Sequence, residues 1–203
     1  SYLYLTTDLA TVSNRIEKYD FDKTLYIVDK RQKLHFNQLF KSLDYFDFEK
    51  REYEHIAFGT INDVNGNPFK TRHGDTKKLL DLFEETCLYL KNINPEIEDE
   101  TINILANTVL TFSDLITNRM TDYKFDLDKF TNISGKTGLY VQYALVRAKK
   151  LIKNSSINES DLKITISELD NTDIKLLKSF AKFEYLFAQA LNNSEPHHLA
   201  DYL

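Results

Sequence analysis

His55-Ile-Ala-Phe-Gly59 and, a few residues on, Asn65-Gly-Asn-Pro-Phe-Lys-Thr-Arg-His-Gly74 mark the change of architecture in this chain. The first run is apolar and ends at a glycine, as a buried strand does. Asn65-Gly66 is a turn signal, and the cluster Lys70-Thr71-Arg72 leads towards a helix expected to start near Asp75 or Thr76. Positive side chains beside the unpaired N–H groups of a helix start offer a place for a phosphate or another anion. A solvated surface loop is the alternative for Phe69-Lys-Thr-Arg72. There is no glycine-rich phosphate loop of either standard spacing.

Upstream of this stretch the pattern alternates. Tyr2–Thr6 reads as a strand, Leu9–Lys18 as a helix, Leu25–Asp29 as a strand, Leu34–Leu43 as a helix and His55–Ile61 as a third strand. That βαβαβ order predicts parallel strands in an α/β layer. The strands are too short for a complete sheet with two covered faces, so half of a larger one is expected. Downstream the pattern turns helical. Leu79/Leu80, Phe83, Cys87 and Leu90 fall on one face, and Ile102, Leu105, Val109, Phe112 and Ile116 on another. Val141, Leu145, Ala148 and Ile152 make a third such face, and Leu176, Phe180, Phe183, Phe187 and Leu191 a fourth. Gly135 and Gly138 punctuate the chain before the third, which places a domain boundary near there. The polar stretch Asn154–Leu169 reads as a connection.

Composition sets limits. With 42% hydrophobic and 28% charged residues and a mean hydropathy of -0.43, the 203 residues are those of a globular protein of one large or two small domains. No apolar run approaches the roughly 20 residues of a membrane helix, and Ser1–Asp8 has no signal-peptide pattern. A single cysteine, Cys87, excludes intrachain disulfides and cysteine-rich metal sites and fits a reducing cytoplasm. Its place on an apolar helix face reads as a core thiol. The net charge of -5 argues against a generally basic nucleic-acid binder, but Lys70, Arg72, Lys77 and Lys78 form a local basic patch.

In an open parallel sheet, ligands bind beyond the carboxyl ends of the strands. Tyr4 to Asp8, Asp29 to Gln32, and Phe58-Gly59 with the loop after it fall there. Read alone, Asp8 caps the following helix, Tyr4 is core and Gln32 is a surface residue. Tyr140, Tyr143, Arg147 and Lys150 form a polar-aromatic stripe that amphipathicity explains as well as RNA contact does. His197 and His198 are adjacent and expected to point apart on a helix, so no metal site is read there.

Four segments together resemble arginyl-tRNA synthetases, a family of class I aminoacyl-tRNA synthetases. They are Leu3-Tyr-Leu-Thr-Thr-Asp8, similar to a Tyr-x-Thr-Arg-Asp element with Thr7 in place of Arg; Tyr26-Ile-Val-Asp-Lys-Arg-Gln-Lys-Leu-His35, with its Gln and His; His55-x-x-Phe-Gly59 with Phe69-Lys-Thr-Arg-x-Gly74, similar to the family's divergent Lys-Met-Ser-Lys-Ser loop; and Asn118-Arg-Met-Thr-Asp-Tyr-Lys-Phe-Asp126 through Thr137-Gly-Leu-Tyr-Val-Gln-Tyr143. Lys136 and Leu139 depart from the last motif. Order and spacing agree over nearly the whole chain.

The resemblance implies the C-terminal half of a class I synthetase Rossmann-like parallel sheet, followed by an all-α helical bundle, with domains at residues 1–136 and 137–203. It implies that Tyr4, Asp8 and Gln32 bind L-arginine, which reverses the cap and core readings. It places His55, Phe58 and Gly59 against ATP, Lys70, Thr71 and Arg72 at its phosphates with Lys70 and Arg72 as catalytic charges, and Tyr140, Gln142 and Tyr143 near tRNA. ATP with magnesium would be a substrate; no metal ligand in this chain can be named. Partners would be tRNA(Arg), arginine and ATP, with no membrane, in a cytoplasmic monomer. No His-x-Gly-His occurs. In the family that element lies upstream, so the chain is expected to be an internal fragment, inactive alone. A non-catalytic tRNA-binding or regulatory paralogue, and a generic nucleotide-binding α/β domain, are the rival readings.

Overall fold

The computed structural model describes residues 3–67, 78–155 and 169–203. They divide into two compact units, Ser1–Thr60 with Arg119–Asp122, and Ile61–Asn118 with Tyr123–Leu203.

The first unit opens with a helix, α1 (Tyr4–Lys18), where a strand was expected. The alternation of Tyr2–Thr6 is shorter than the helical period that overrides it. Leu5, Asp8, Leu9, Val12 and Ile16 form the inward face, and Val12 is 1% exposed. Leu3, not Asp8, is the residue before the first turn, and Arg15 and Lys18 sit in the last turn, where cations suit the helix dipole. Asp8 lies inside the helix and caps nothing.

Strand β1 (Lys23–Asp29) pairs in parallel with β2 (Glu52–Phe58), from Lys23 opposite Glu52 to Asp29 opposite Phe58. A short 3-10 turn (Lys30–Gln32) and α2 (Lys33–Tyr45) connect them, a βαβ unit. With the first expected strand absent, the sheet has two described strands rather than three. One face is covered by aromatics from α2. Phe36 lies 4.9 Å from the Tyr26 ring and stacks on His55 at 4.7 Å, and Phe40 stacks on Tyr53 at 6.0 Å. Phe36, Leu39 and Leu43 are buried at helical spacing. On the other face Leu25 and Ile27 are exposed.

The second unit holds β3 (Ile61–Asn62), α3 (Leu79–Ile93), α4 (Asp99–Leu115), β4 (Tyr123–Lys124), α5 (Leu127–Phe130), α6 (Gly138–Ser155), α7 (Asn171–Phe180), α8 (Phe183–Asn193) and α9 (His197–Tyr202). β3 and β4 pair in parallel over two residues. The Asn65-Gly66 turn is present: the Asp63 carboxylate accepts from the N–H groups of Asn65 and Asn67, and Gly66 takes φ 85°. The core joins Leu82 and Leu90, Ile102, Ala106 and Val109, Phe125, Phe130 and Leu139.

The helical faces read from sequence are rotated in part. On α3 the buried residues are Leu82, Thr86 and Leu90; Phe83 and Cys87 pack against the core, while Leu79 and Leu80 are exposed. Burial pushes the Cys87 thiol up, away from reactivity. The fourth face is split between α7 and α8, and Leu176, Phe180, Phe183, Phe187 and Leu191 are exposed, as are Leu145 and Ile152 of α6. Periodicity identifies an apolar side but not what covers it. The helix start near Asp75 and most of the Asn154–Leu169 connection lie outside the described residues. No described helix is long and apolar enough to cross a membrane.

Candidate functional site

At the carboxyl end of the β1–β2 pair the chain turns at Asp29 and at Phe58, which face each other in register. The Asp29 carboxylate accepts from Arg31 Nε at 2.9 Å, from Arg31 Nη2 at 2.7 Å and from the Arg31 backbone N–H at 2.8 Å. This guanidinium fork and the backbone bond hold the Asp29 carboxyl down at about 2. The turn thereby fixed leads through Gln32, which precedes α2, to His35 in that helix's first turn.

His35 reaches α1. Its Nε2 lies 2.6 Å from Asp8 Oδ2, and the Tyr4 ring packs on the imidazole with centroids 4.7 Å apart. The side chains of His35 and Asp8 are only 20% and 25% exposed. Tyr4 and Asp8 are one helical turn apart and share a face. Tyr4, Asp8 and Gln32, picked out separately in the sequence, are thus gathered around the start of α2. Tyr4 is exposed rather than core.

The end of β2 is fixed by a segment far away in sequence. Arg119 donates to the Ala57 carbonyl at 2.6 Å and accepts from the Gly59 N–H at 2.7 Å. A Cβ on Gly59 would lie 2.6 Å from the Thr121 carbonyl oxygen, so only glycine fits this approach. Asp122 accepts from the Thr60 N–H at 2.7 Å and pairs with Lys30 at 2.9 Å. The Thr60 N–H, then Lys30, holds its carboxyl down at about 2. Because the folded group ionises below the 3.8 of the free side chain, its stabilisation is complete above that value and is lost as pH falls through about 2. Asp122→Asn is therefore expected to lower the melting temperature at neutral pH, with the gap to wild type closing between pH 4 and pH 2. Circular-dichroism melts across that range check it.

His55 lies within β2, its Nε2 3.1 Å from the Val28 carbonyl oxygen and its ring on Phe36; Phe58 ends the strand, half-exposed. Lys70, Thr71 and Arg72 lie outside the described residues. In the second unit Tyr140 and Tyr143 are exposed on α6, with Arg147 donating to the Tyr143 hydroxyl at 3.4 Å, whereas Gln142 donates its amide to Thr108 of α4. The rings of His197 and His198 do not point apart. They lie 4.1 Å from each other beside Glu195, because α9 begins at His197 and His198 turns back to the Glu195 carboxylate at 3.0 Å.

Sequence reasoning assigned no role to Lys30, His35, Arg119 or Asp122. All four stood inside the quoted motifs, but contacts across 27, 62 and 92 residues leave no periodic signal.

Residues 1–127 match the model for "tRNA synthetases class I (R), catalytic domain", and residues 141–203 that for the DALR anticodon binding domain. The chain belongs to the class I tRNA synthetase family of the arginine type. It is 39% identical over 209 residues to the arginine–tRNA ligase of Francisella tularensis subsp. tularensis, and 34% identical over 213 residues to that of Shewanella pealeana. These matches cover 98% and 100% of this chain, which spans 36% of each relative's length. The arginyl-tRNA synthetase structure from Plasmodium falciparum aligns with a TM-score of 0.77 at 25% identity, over 100% of this chain and 36% of that one. The Thermus thermophilus arginyl-tRNA synthetase shares the fold, with a TM-score of 0.77 at 18% identity.

Proposed function

We propose that these residues work within an arginine–tRNA ligase, which joins L-arginine to tRNA(Arg) through an arginyl-adenylate. The half-buried Asp8 carboxylate at the carboxyl end of the sheet, beside the Tyr4 ring, carries this reading. A planar guanidinium is matched by a fixed carboxylate that accepts two parallel hydrogen bonds. Gln32 adds an amide to the same pocket.

The adenosine of ATP lies along His55, Phe58 and Gly59. Lys70, Thr71 and Arg72 meet its phosphates, and the two cations offset charge developing as pyrophosphate departs. Magnesium arrives with ATP as part of the substrate. The arginine carboxylate attacks the α-phosphorus, and the ribose hydroxyl of tRNA then displaces AMP from the adenylate. No covalent enzyme intermediate is needed. Tyr140, Gln142 and Tyr143 lie near tRNA, at the opening of an anticodon-binding domain that starts at residue 137 after a catalytic part ending at residue 136. The enzyme acts as a cytoplasmic monomer.

The test is arginylation of tRNA by the full-length polypeptide to which the segment belongs, beside the 203-residue chain. Charging is expected from the former alone. Asp8→Ala, which removes a charge-assisted contact of about 1.5–3 kcal/mol, is expected to cut kcat/KM for arginine about 10–100-fold. Charging by neither chain would favour a non-catalytic paralogue, and an Asp8→Ala enzyme with unchanged arginine kinetics would remove Asp8 from the pocket.

A further inference from the structure

We infer that His35 is a positioning residue of the arginine pocket: its ring N–H holds the Asp8 carboxylate in the plane in which Asp8 meets a guanidinium. The inference rests on the arginine reading above.

An aspartate inside a helix is free to turn towards solvent or towards backbone groups of its own turn. Asp8 does neither. Its Oδ2 lies 2.6 Å from His35 Nε2. A carboxylate can only accept, so the bond is donated by the imidazole and the Nε2 position carries the hydrogen. One lone pair of Oδ2 is thereby taken, and Oδ1 with the second lone pair of Oδ2 is left to meet a guanidinium.

The imidazole is itself fixed. The Tyr4 ring lies on it at 4.7 Å, and Phe36 meets it edge-on at 5.3 Å. Phe36 in turn stacks on His55 and packs against Tyr26. The orientation of Asp8 is thus carried by the aromatic core between α2 and the sheet. A guanidinium fork is planar, so its affinity depends on the tilt of the carboxylate as well as on its charge. A carboxylate held before arginine arrives does not lose that rotational freedom on binding.

The experiment measures arginylation by the full-length enzyme with His35→Phe, His35→Gln, Asp8→Asn and the double variant Asp8→Asn/His35→Phe. Phenylalanine keeps a ring for Tyr4 and Phe36 but donates nothing. His35→Phe is expected to raise KM for arginine about tenfold, the worth of one hydrogen bond to a charged group. KM for ATP should stay within about twofold. His35→Gln, whose amide N–H can stand near the lost Nε2–H, should recover part of the loss. In the Asp8→Asn background His35→Phe should add little, since His35 acts through Asp8.

An arginine KM unchanged in His35→Phe would overturn the inference, as would equal losses for arginine and ATP or full additivity with Asp8→Asn. If His35→Phe gives no folded enzyme, the same cycle with His35→Gln decides by its additivity. Failure of the arginine reading looks different: Asp8→Asn itself would leave the arginine kinetics unmoved. A large effect of Asp8→Asn with a silent His35→Phe would sink only the role of His35.

Discussion

Gly59→Ala is expected to cost about 3 kcal/mol of stability or more, the upper part of the range for forcing extra volume into a packed site. The added Cβ would stand 2.6 Å from the Thr121 carbonyl oxygen, 2.7 Å from its carbon and 2.8 Å from Asp122 Oδ1. Two of these atoms are backbone, so no side-chain rotation relieves the clash. Either β2 withdraws from the Arg119–Asp122 segment or that segment moves. The Gly59 N–H to Arg119 bond, the Arg119 contact with Ala57 and the Thr60 bond to Asp122 are all strained together. Denaturant unfolding measures the stability loss, and hydrogen exchange at Gly59 and Thr60 should rise with it. A melting curve unchanged from wild type would show that the loop yields freely.

Leu39→Ala is expected to cost about 2–5 kcal/mol, the cost of a deleted core side chain plus the cavity left behind. Leu39 is fully enclosed, at 0% exposure, between Phe36 and Leu43 on the buried face of α2. Phe36, one turn before it on the same buried face, is held by its stacking on His55, which limits collapse into the void. Because α2 also carries His35, the loss should reach the site. A lower urea midpoint measures the first effect, and a raised KM for arginine the second.

The middle of the first unit was plain in the sequence. Strands Lys23–Asp29 and Glu52–Phe58 and the helix between them follow from apolar runs and spacing, with ends moved by a few residues. The start of α1 was not, because the five residues Tyr2–Thr6, read as a strand, fit a strand as well as the outer turn of a helix. What decided it was the face running from Leu5 to Ile16, which only a helix brings together. Likewise, Leu176 through Leu191 looked like one apolar stripe, but the chain breaks at Ala181-Lys182 between two helices. As for the site, the residue types at strand ends were readable, whereas the contacts that fix them were not. Asp8 with His35 spans 27 residues and Thr60 with Asp122 spans 62, and local pattern holds no record of either.

The first unit is interrupted: the chain leaves it after Thr60 and returns only for Arg119–Asp122. This bears on the order of events during synthesis. The ribosome makes the chain from its N-terminus, so β1, α2 and β2 are complete well before Arg119 and Asp122 exist. Until then the end of β2 lacks the groups that hold Gly59 and Thr60, and residues between must first be brought into a closed loop. The entropy of closure rises only slowly with length, by about 0.6 kcal/mol per doubling, and structure formed within the loop shortens it further. Early α3–α4 pairing would therefore hasten the return of Arg119, while a delay there would leave the half-finished sheet exposed to chaperones and proteases.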